Sequence, residues 1–212
     1  MNAIIIDFDG TIADSFEQVL EFLASQTGRS YASITPEERA ELKGLSMMNL
    51  ALRMGVSYWR LPLTYFRGKA RLTKHMHTIP VFAGMDTVLA ALHAENYKLF
   101  IISSNSRRNI TRFLTQHGMS GYFSNIYSNA GWFGKGSILK KAVRQNKLEA
   151  SKTVYIGDEV RDIIGARLAG MPSVAVTWGF SSEAQLLQQS PTIVVRKPSE
   201  LQKALVDWGR TV

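Results

Sequence analysis

Near the start of this 212-residue chain, Ile4-Ile5-Ile6 runs directly into Asp7-Phe8-Asp9-Gly10-Thr11. Three consecutive branched apolar residues fit a strand buried on both faces, the pattern of a parallel sheet. Carboxylates directly after such a strand sit at its carboxyl end, where open α/β sheets bind ligands. Gly10 permits a turn that a residue with a Cβ would resist. Asp7 and Asp9 repel each other when both are ionised unless a proton or a cation intervenes, and hard Mg²⁺ is the natural partner of such oxygens. On the octet alone, an Asp-Gly turn in which Asp7 is only a cap remains a competing reading.

The rest of the chain restricts the choice. Lys98–Ile102 reads as a second buried strand, ending in Ser103-Ser104-Asn105-Ser106. Thr153–Ile156 is a third, running into Gly157-Asp158-Glu159-Val160-Arg161-Asp162. A weaker strand signal lies near 125–127, and later strands are read at 173–176 and 192–195. Apolar helical stripes separate them, at Met85/Val88/Leu89/Leu92, Ile110/Phe113/Leu114, Ile138/Leu139/Ala142/Val143, Ile163/Ile164/Leu168 and Leu201/Ala204/Leu205/Trp208. Strands alternating with helices predict an α/β fold with a Rossmann-like, doubly wound parallel sheet.

Residues 14–78 break the alternation and read as purely helical. Phe16, Val19, Leu20 and Leu23 form one stripe. Thr35-Pro36-Glu37-Glu38 has capping-box spacing, Ser46 can cap a further helix through Arg53, and 58–77 suggests another. The expected organisation is a core of 1–13 and 79–212 carrying an inserted all-helical unit of 14–78, hinged near Asp14 and Thr78-Ile79-Pro80. Arg60, Arg67, Lys69, Arg71 and Lys74 form either a solvated basic face or a positive rim around an anion site. His75 and His77 are two apart, the wrong spacing for a helical metal pair, and read as surface groups.

The charge balance of 25 Lys+Arg against 17 Asp+Glu suits anionic partners without identifying one. The absence of cysteine excludes disulfides and thiolate metal sites. No apolar segment approaches the ~20 residues needed to cross a bilayer, and no signal-peptide pattern opens the chain, so a cytoplasmic protein without a membrane partner is expected.

If the strands are parallel, Asp7, Asp9, Asp158, Glu159 and Asp162 collect along one edge of the sheet, with hydroxyls from 103–106 and a lysine from Gly134-Lys135-Gly136. Acids so gathered call for a dication. A metal, a lysine and hydroxyl donors together suit phosphoryl transfer, in which a carboxylate can act as the nucleophile. Gly134-Lys135-Gly136-Ser137 is not a P-loop, because Gly rather than Ser or Thr follows the lysine.

In this ordered set the chain resembles the haloacid dehalogenase superfamily, in its phosphoglycolate phosphatase-like branch. Asp7-Phe8-Asp9-Gly10-Thr11, Ser104-Asn105, Lys135 and Gly157–Asp162 look like the four motifs in order, and the helical insert is similar to the C1 cap. The resemblance implies a Mg²⁺-dependent phosphatase acting on a small phosphorylated metabolite. Asp7 would attack phosphorus, and Asp9 would be the acid and then the base. Asp7, the Asp9 carbonyl and Asp158 would hold the metal. Gly10, Thr11, Ser104, Asn105 and Lys135 would grip the phosphoryl group, with Asp162 and Glu159 behind them. Ser104 rather than Ser103 is chosen because it completes the Ser-Asn pair; both Ser103 and Asn105 could instead cap the next helix.

One departure concerns specificity. Gly44-Leu45-Ser46 is followed by Met47-Met48 instead of the basic residue found in mutase-like relatives, which argues against a sugar-phosphate mutase substrate. The methionines could line an adaptable lid or pack inside the insert. Competing functions are a phosphotransferase, a nucleotide or nucleic-acid phosphatase suggested by the basic insert, and a non-catalytic binding protein. A monomer and a homodimer are both compatible with the sequence.

Overall fold

The computed structural model describes residues 3–128, 130 and 134–210. Gly131-Trp132-Phe133, part of the segment expected to lead into Lys135, lies outside them. Six strands, β1 (Ala3–Ile6), β2 (Lys98–Ile102), β3 (Phe123–Tyr127), β4 (Thr153–Gly157), β5 (Ser173–Val176) and β6 (Ile193–Val195), form one sheet. Its order is β3-β2-β1-β4-β5-β6, with every neighbouring pair parallel. The isoleucine run is therefore central, and both faces of it are covered.

Side-chain alternation divides those faces. Ile4 and Ile6 pack with α5 (Met85–Ala94), α6 (Arg107–Gln116) and α10 (Pro198–Gly209). Ala3 and Ile5 pack on the opposite side with α7 (Lys135–Gln145) and α8 (Val160–Leu168). The doubly wound expectation holds for a simple reason: a strand buried on both faces needs helices on both.

Between β1 and α5 stand α1 (Phe16–Gln26), α2 (Pro36–Leu42), α3 (Met47–Arg53) and α4 (Leu61–His75). Thr35 and Ser46 cap α2 and α3 through their hydroxyls, as their spacing predicts. The helix expected over 58–77 is divided. Tyr58–Arg60 and Met76–Thr78 are 3₁₀ turns, and α4 lies between them with Pro62 in its first turn, where a missing N–H does no harm. These helices bury their own cluster, including Phe16, Leu20, Leu23, Leu50 and Leu61, joined by Phe180 from the sheet-bearing part. The entering and leaving chains meet at an antiparallel bridge between Ala13 and Val81, and Asp14 N–H donates to the Pro80 carbonyl at 2.9 Å. A short helix, α9 (Glu183–Leu187), was not foreseen; its capping box of Ser182 and Gln185 is present.

Candidate active site

β1 delivers its acids without a break. Asp7 N–H continues the ladder to the Ile156 carbonyl at 2.8 Å, so the residue after the strand is still held by β4. The chain then folds tightly around the Phe8 carbonyl, which accepts from Ile12 and Ala13, both at 2.9 Å. The Phe8 ring anchors this turn in the core, edge-on to Phe113 at 5.0 Å. Gly10 has φ of +80°, and a Cβ there would fall 2.7 Å from both Asp158 Cγ and Phe180 Cδ2. Only glycine meets both demands.

β4 brings the second set of acids. Register pairs Ile6 with Ile156, so Asp7 leaves β1 beside Gly157 and Asp158 follows one residue on. Oxygens of Asp7, Asp158 and Asp162 lie within 4.8 Å of one another, all buried. Asp158 Oδ1 accepts from the Thr11 hydroxyl at 2.7 Å, and its Oδ2 accepts from Phe180 N–H at 2.8 Å. Asp162 and Glu159 form the capping box of α8, with Asp162 accepting Glu159 N–H at 2.9 Å. Glu159 also pairs with Arg161, whose Nε donates at 2.7 Å.

Lys135 opens α7 and is buried to 3% exposure. Its ammonium donates to Asp7 Oδ2 at 2.6 Å and to Asp162 Oδ1. Asp7 Oδ1 accepts the following N–H, of Phe8, at 2.8 Å. The β2 loop meets Asp9: Asn105 Nδ2 donates to its carboxylate at 3.0 and 3.3 Å. Asn105 Oδ1 in turn accepts from Ser106 N–H and Asn109 Nδ2, both at 2.8 Å, which fixes the amide's orientation. Ser106 caps α6, a role that neither Ser103 nor Asn105 takes. The buried Ser103 hydroxyl accepts Asn105 N–H at 2.9 Å. Ser104 is half-buried and lines a cavity of about 90 Å³ together with Asp9, Asn105, Glu159 and Arg161.

Electrostatics follow from this crowding. Burial raises the Asp7 carboxyl to about 7, and the Asp162 charge adds to that while Lys135 opposes it. Burial raises Asp158 well above the usual range, reinforced by the charges of Asp162, Glu159 and Asp7. Burial also raises Asp9, against the hydrogen bond from Asn105. Burial alone would lower Lys135, but Asp162 and Asp7 outweigh it and hold the ammonium charged. Five carboxylates (Asp7, Asp9, Asp158, Glu159 and Asp162) face the cationic heads of Lys135 and Arg161. When the carboxyls are ionised the excess of negative charge, all on oxygen, fits a hard dication.

The structure therefore brings together Asp7, Asp9, Asn105, Lys135, Asp158, Glu159 and Asp162, with Ser104 at the cavity wall. Thr11 is placed against Asp158, and Gly10 is backbone clearance for it. Four participants had no assigned part in the sequence: Tyr65, whose hydroxyl donates to the Ser104 carbonyl at 3.0 Å; Tyr155, donating to Asp162 at 3.2 Å; Arg161, paired with Glu159; and Phe180, whose N–H donates to Asp158. Tyr155 and Arg161 stand within the strand and motif strings named above, but Tyr65 and Phe180 leave no local signal.

A family model of haloacid dehalogenase-like hydrolases matches residues 4–176, and the chain belongs to that family. It is 33% identical over 211 residues, 99% of this chain and all of the relative, to a phosphoglycolate phosphatase of Synechococcus elongatus. It is 22% identical over 205 residues, 95% of each chain, to the pyrophosphatase PpaX of Bacillus mycoides. Among solved structures, a haloacid dehalogenase-like hydrolase of Streptococcus pneumoniae shares the fold with a TM-score of 0.78 at 21% identity, covering 96% of this chain and 98% of that one.

Proposed function

We propose that the chain is a Mg²⁺-dependent phosphatase that hydrolyses a small phosphate monoester through an aspartyl-phosphate on Asp7, with phosphoglycolate the first candidate substrate. The observation that carries this reading is the pairing of two chemically different aspartates. Asp7 is buried and held at both oxygens by Lys135 and Phe8 N–H, whereas Asp9 faces the cavity and is turned by Asn105. The substrate candidate rests on the named activity of the Synechococcus relative. The PpaX relative warns that the leaving group varies within one architecture.

In this mechanism an Asp7 oxygen attacks phosphorus as the P–O bond to the alcohol breaks, and Asp9 gives its proton to the departing oxygen. Asp9 then takes a proton from the water that attacks the aspartyl-phosphate, releasing phosphate and restoring Asp7. A raised Asp9 carboxyl favours the protonated form needed for the first step. Lys135 supplies positive charge beside the transferring group, and Ser104 and Asn105 hold its oxygens. Asp7, Asp158 and the Asp9 carbonyl would hold Mg²⁺, whose part is to neutralise phosphate charge. Asp162 acts through Lys135, fixing the ammonium against Asp7.

The division into a core of 1–13 and 79–212 and a cap of 14–78 belongs to the same proposal. Its support is the separate apolar cluster of the insertion and the bridged crossing at Ala13 and Val81. Val19, Phe22, Leu23, Met47, Leu61 and Leu72 wall the cavity, so the insertion confines the leaving group. At about 90 Å³ the space is well below the ~300–1,000 Å³ of drug-sized pockets and suits an alcohol of a few heavy atoms. The test is phosphate release from a panel of phosphorylated metabolites with Mg²⁺. Two- and three-carbon phosphoesters should exceed hexose phosphates and nucleotides at least tenfold in kcat/KM. A preference for the large substrates overturns the assignment.

A further inference from the structure

The outward side of α4 has no part in the site. Tyr58 and Phe66 are each 67% exposed, Trp59 is 89% exposed and Leu63 50%. Leu63, Phe66 and Ala70 fall at i, i+3 and i+7 along one side of α4, and Trp59 stands in the 3₁₀ turn that leads into it, so that together they form one ridge. The opposite side, with Leu61, Tyr65, Gly68 and Leu72, lines the catalytic cavity. Beside the ridge run Arg60, Arg67 and Lys74, all exposed, and none has an ion-pair partner among the described residues. Arg71 in the same row pairs with Glu21. From residue 42 to residue 85 the sequence contains no Asp or Glu.

We propose that this aromatic–basic ridge seats the protein on an anionic lipid surface. No helix among the described residues is long and apolar enough to cross a membrane, but a helix that lies in the interface needs only one apolar side with cations beside it. Trp and Tyr favour the headgroup level, where an apolar ring and a polar edge are both accommodated. Ridge members are aliphatic as well as aromatic, and Leu63 and Ala70 offer nothing to a nucleobase. A second copy of the chain is disfavoured by charge, since twofold pairing of this face would set Arg60, Arg67 and Lys74 against their own copies, with Glu21 already paired to Arg71. Docking by the outer side of α4 leaves its inner side free to keep lining the cavity.

The full-length protein is mixed with vesicles of phosphatidylserine and phosphatidylcholine, or of phosphatidylcholine alone, and followed by co-sedimentation and tryptophan emission. Binding to the anionic vesicles, weakening with salt and accompanied by a blue shift, is expected. Arg60→Gln with Arg67→Gln should lower the partition about 30-fold, near fivefold for each charge at a lipid surface. Trp59→Ser should remove most of the blue shift. These side chains are exposed, so circular dichroism and phosphate release from a soluble substrate should stay unchanged, which separates failure here from failure of the phosphatase reading. Equal partition to both vesicle types overturns the proposal. So does displacement from vesicles by oligothymidylate, which would mark a nucleic-acid surface, or a dimer in solution that Trp59→Ser dissociates.

Discussion

The carboxylate cluster at the end of β1 and β4 and the helical insertion above it are built on opposite rules. In the cluster nearly every polar atom has a fixed partner: Asp7 holds Phe8 N–H and Lys135, Asp158 holds Thr11 and Phe180 N–H, and Asp162 holds Lys135 and Glu159 N–H. Glycine at position 10 admits no side chain. The insertion meets the same cavity mainly with apolar side chains, and methionine 47 is among them. On the proposed reading, one region fixes where charge develops and the other fixes how much room is left. Chemistry and selectivity can then change separately, consistent with relatives that share the architecture and carry different activity names.

If the cluster alone carries the reaction, Asp7→Asn should lower phosphate release on the order of 10⁴-fold or more. The ionised carboxylate is a burden to the folded, metal-free protein, so its thermal midpoint at pH 8 should not fall. A lowered midpoint together with lost activity would make Asp7 a structural residue. Asp9→Asn should lower kcat by roughly 10²–10⁴-fold, the usual contribution of a general acid and base. Lys135→Met tests the interlock. Removing one partner of a buried ion pair costs ~3–5 kcal/mol, here with Asp7 and Asp162 both left unpaired, and scanning calorimetry should record a fall of roughly 10 °C.

Protons and Mg²⁺ should compete for the cluster. A carboxyl raised in the folded state gives stability below its unfolded value near 4 and loses it as pH rises through its folded value, about 7 for Asp7. Asp158 shifts the same way. Metal binding needs both groups ionised, so millimolar Mg²⁺ should raise the midpoint by ~5 °C at pH 8 and hardly at all at pH 5. An equal gain at both pH values would place the ion elsewhere.

The same contrast governs what could be read from the sequence. β1, β2 and β4 announce themselves because buried parallel strands are unbroken apolar runs, and Asp7 and Asp158 follow from where such runs stop. β3 was expected only near 125–127 and extends over Phe123–Tyr127; as an edge strand it is half-exposed, and its pairing slips between Leu99 and Phe100. α9 is too short, at five residues, to show a period. Lys135 was legible by its order among the acids. Tyr65 and Phe180 were not, because each reaches the site only through tertiary packing of the insertion against the sheet.

Tyr65 offers the mildest test and the most direct one of how the two regions communicate. Its hydroxyl crosses from α4 to the Ser104 carbonyl at 3.0 Å, at the loop that presents Ser104 and Asn105. Its ring also walls the cavity. Tyr65→Phe keeps the wall and removes the hydrogen bond, a change of ~1 kcal/mol or about fivefold. If the bond holds the insertion over the loop, KM should rise by about that factor with kcat little changed, because positioning is weakened while Asp7 and Lys135 are untouched. If kcat falls and KM does not, the insertion acts on the reacting groups themselves, and the separation between chemistry and confinement fails at this residue.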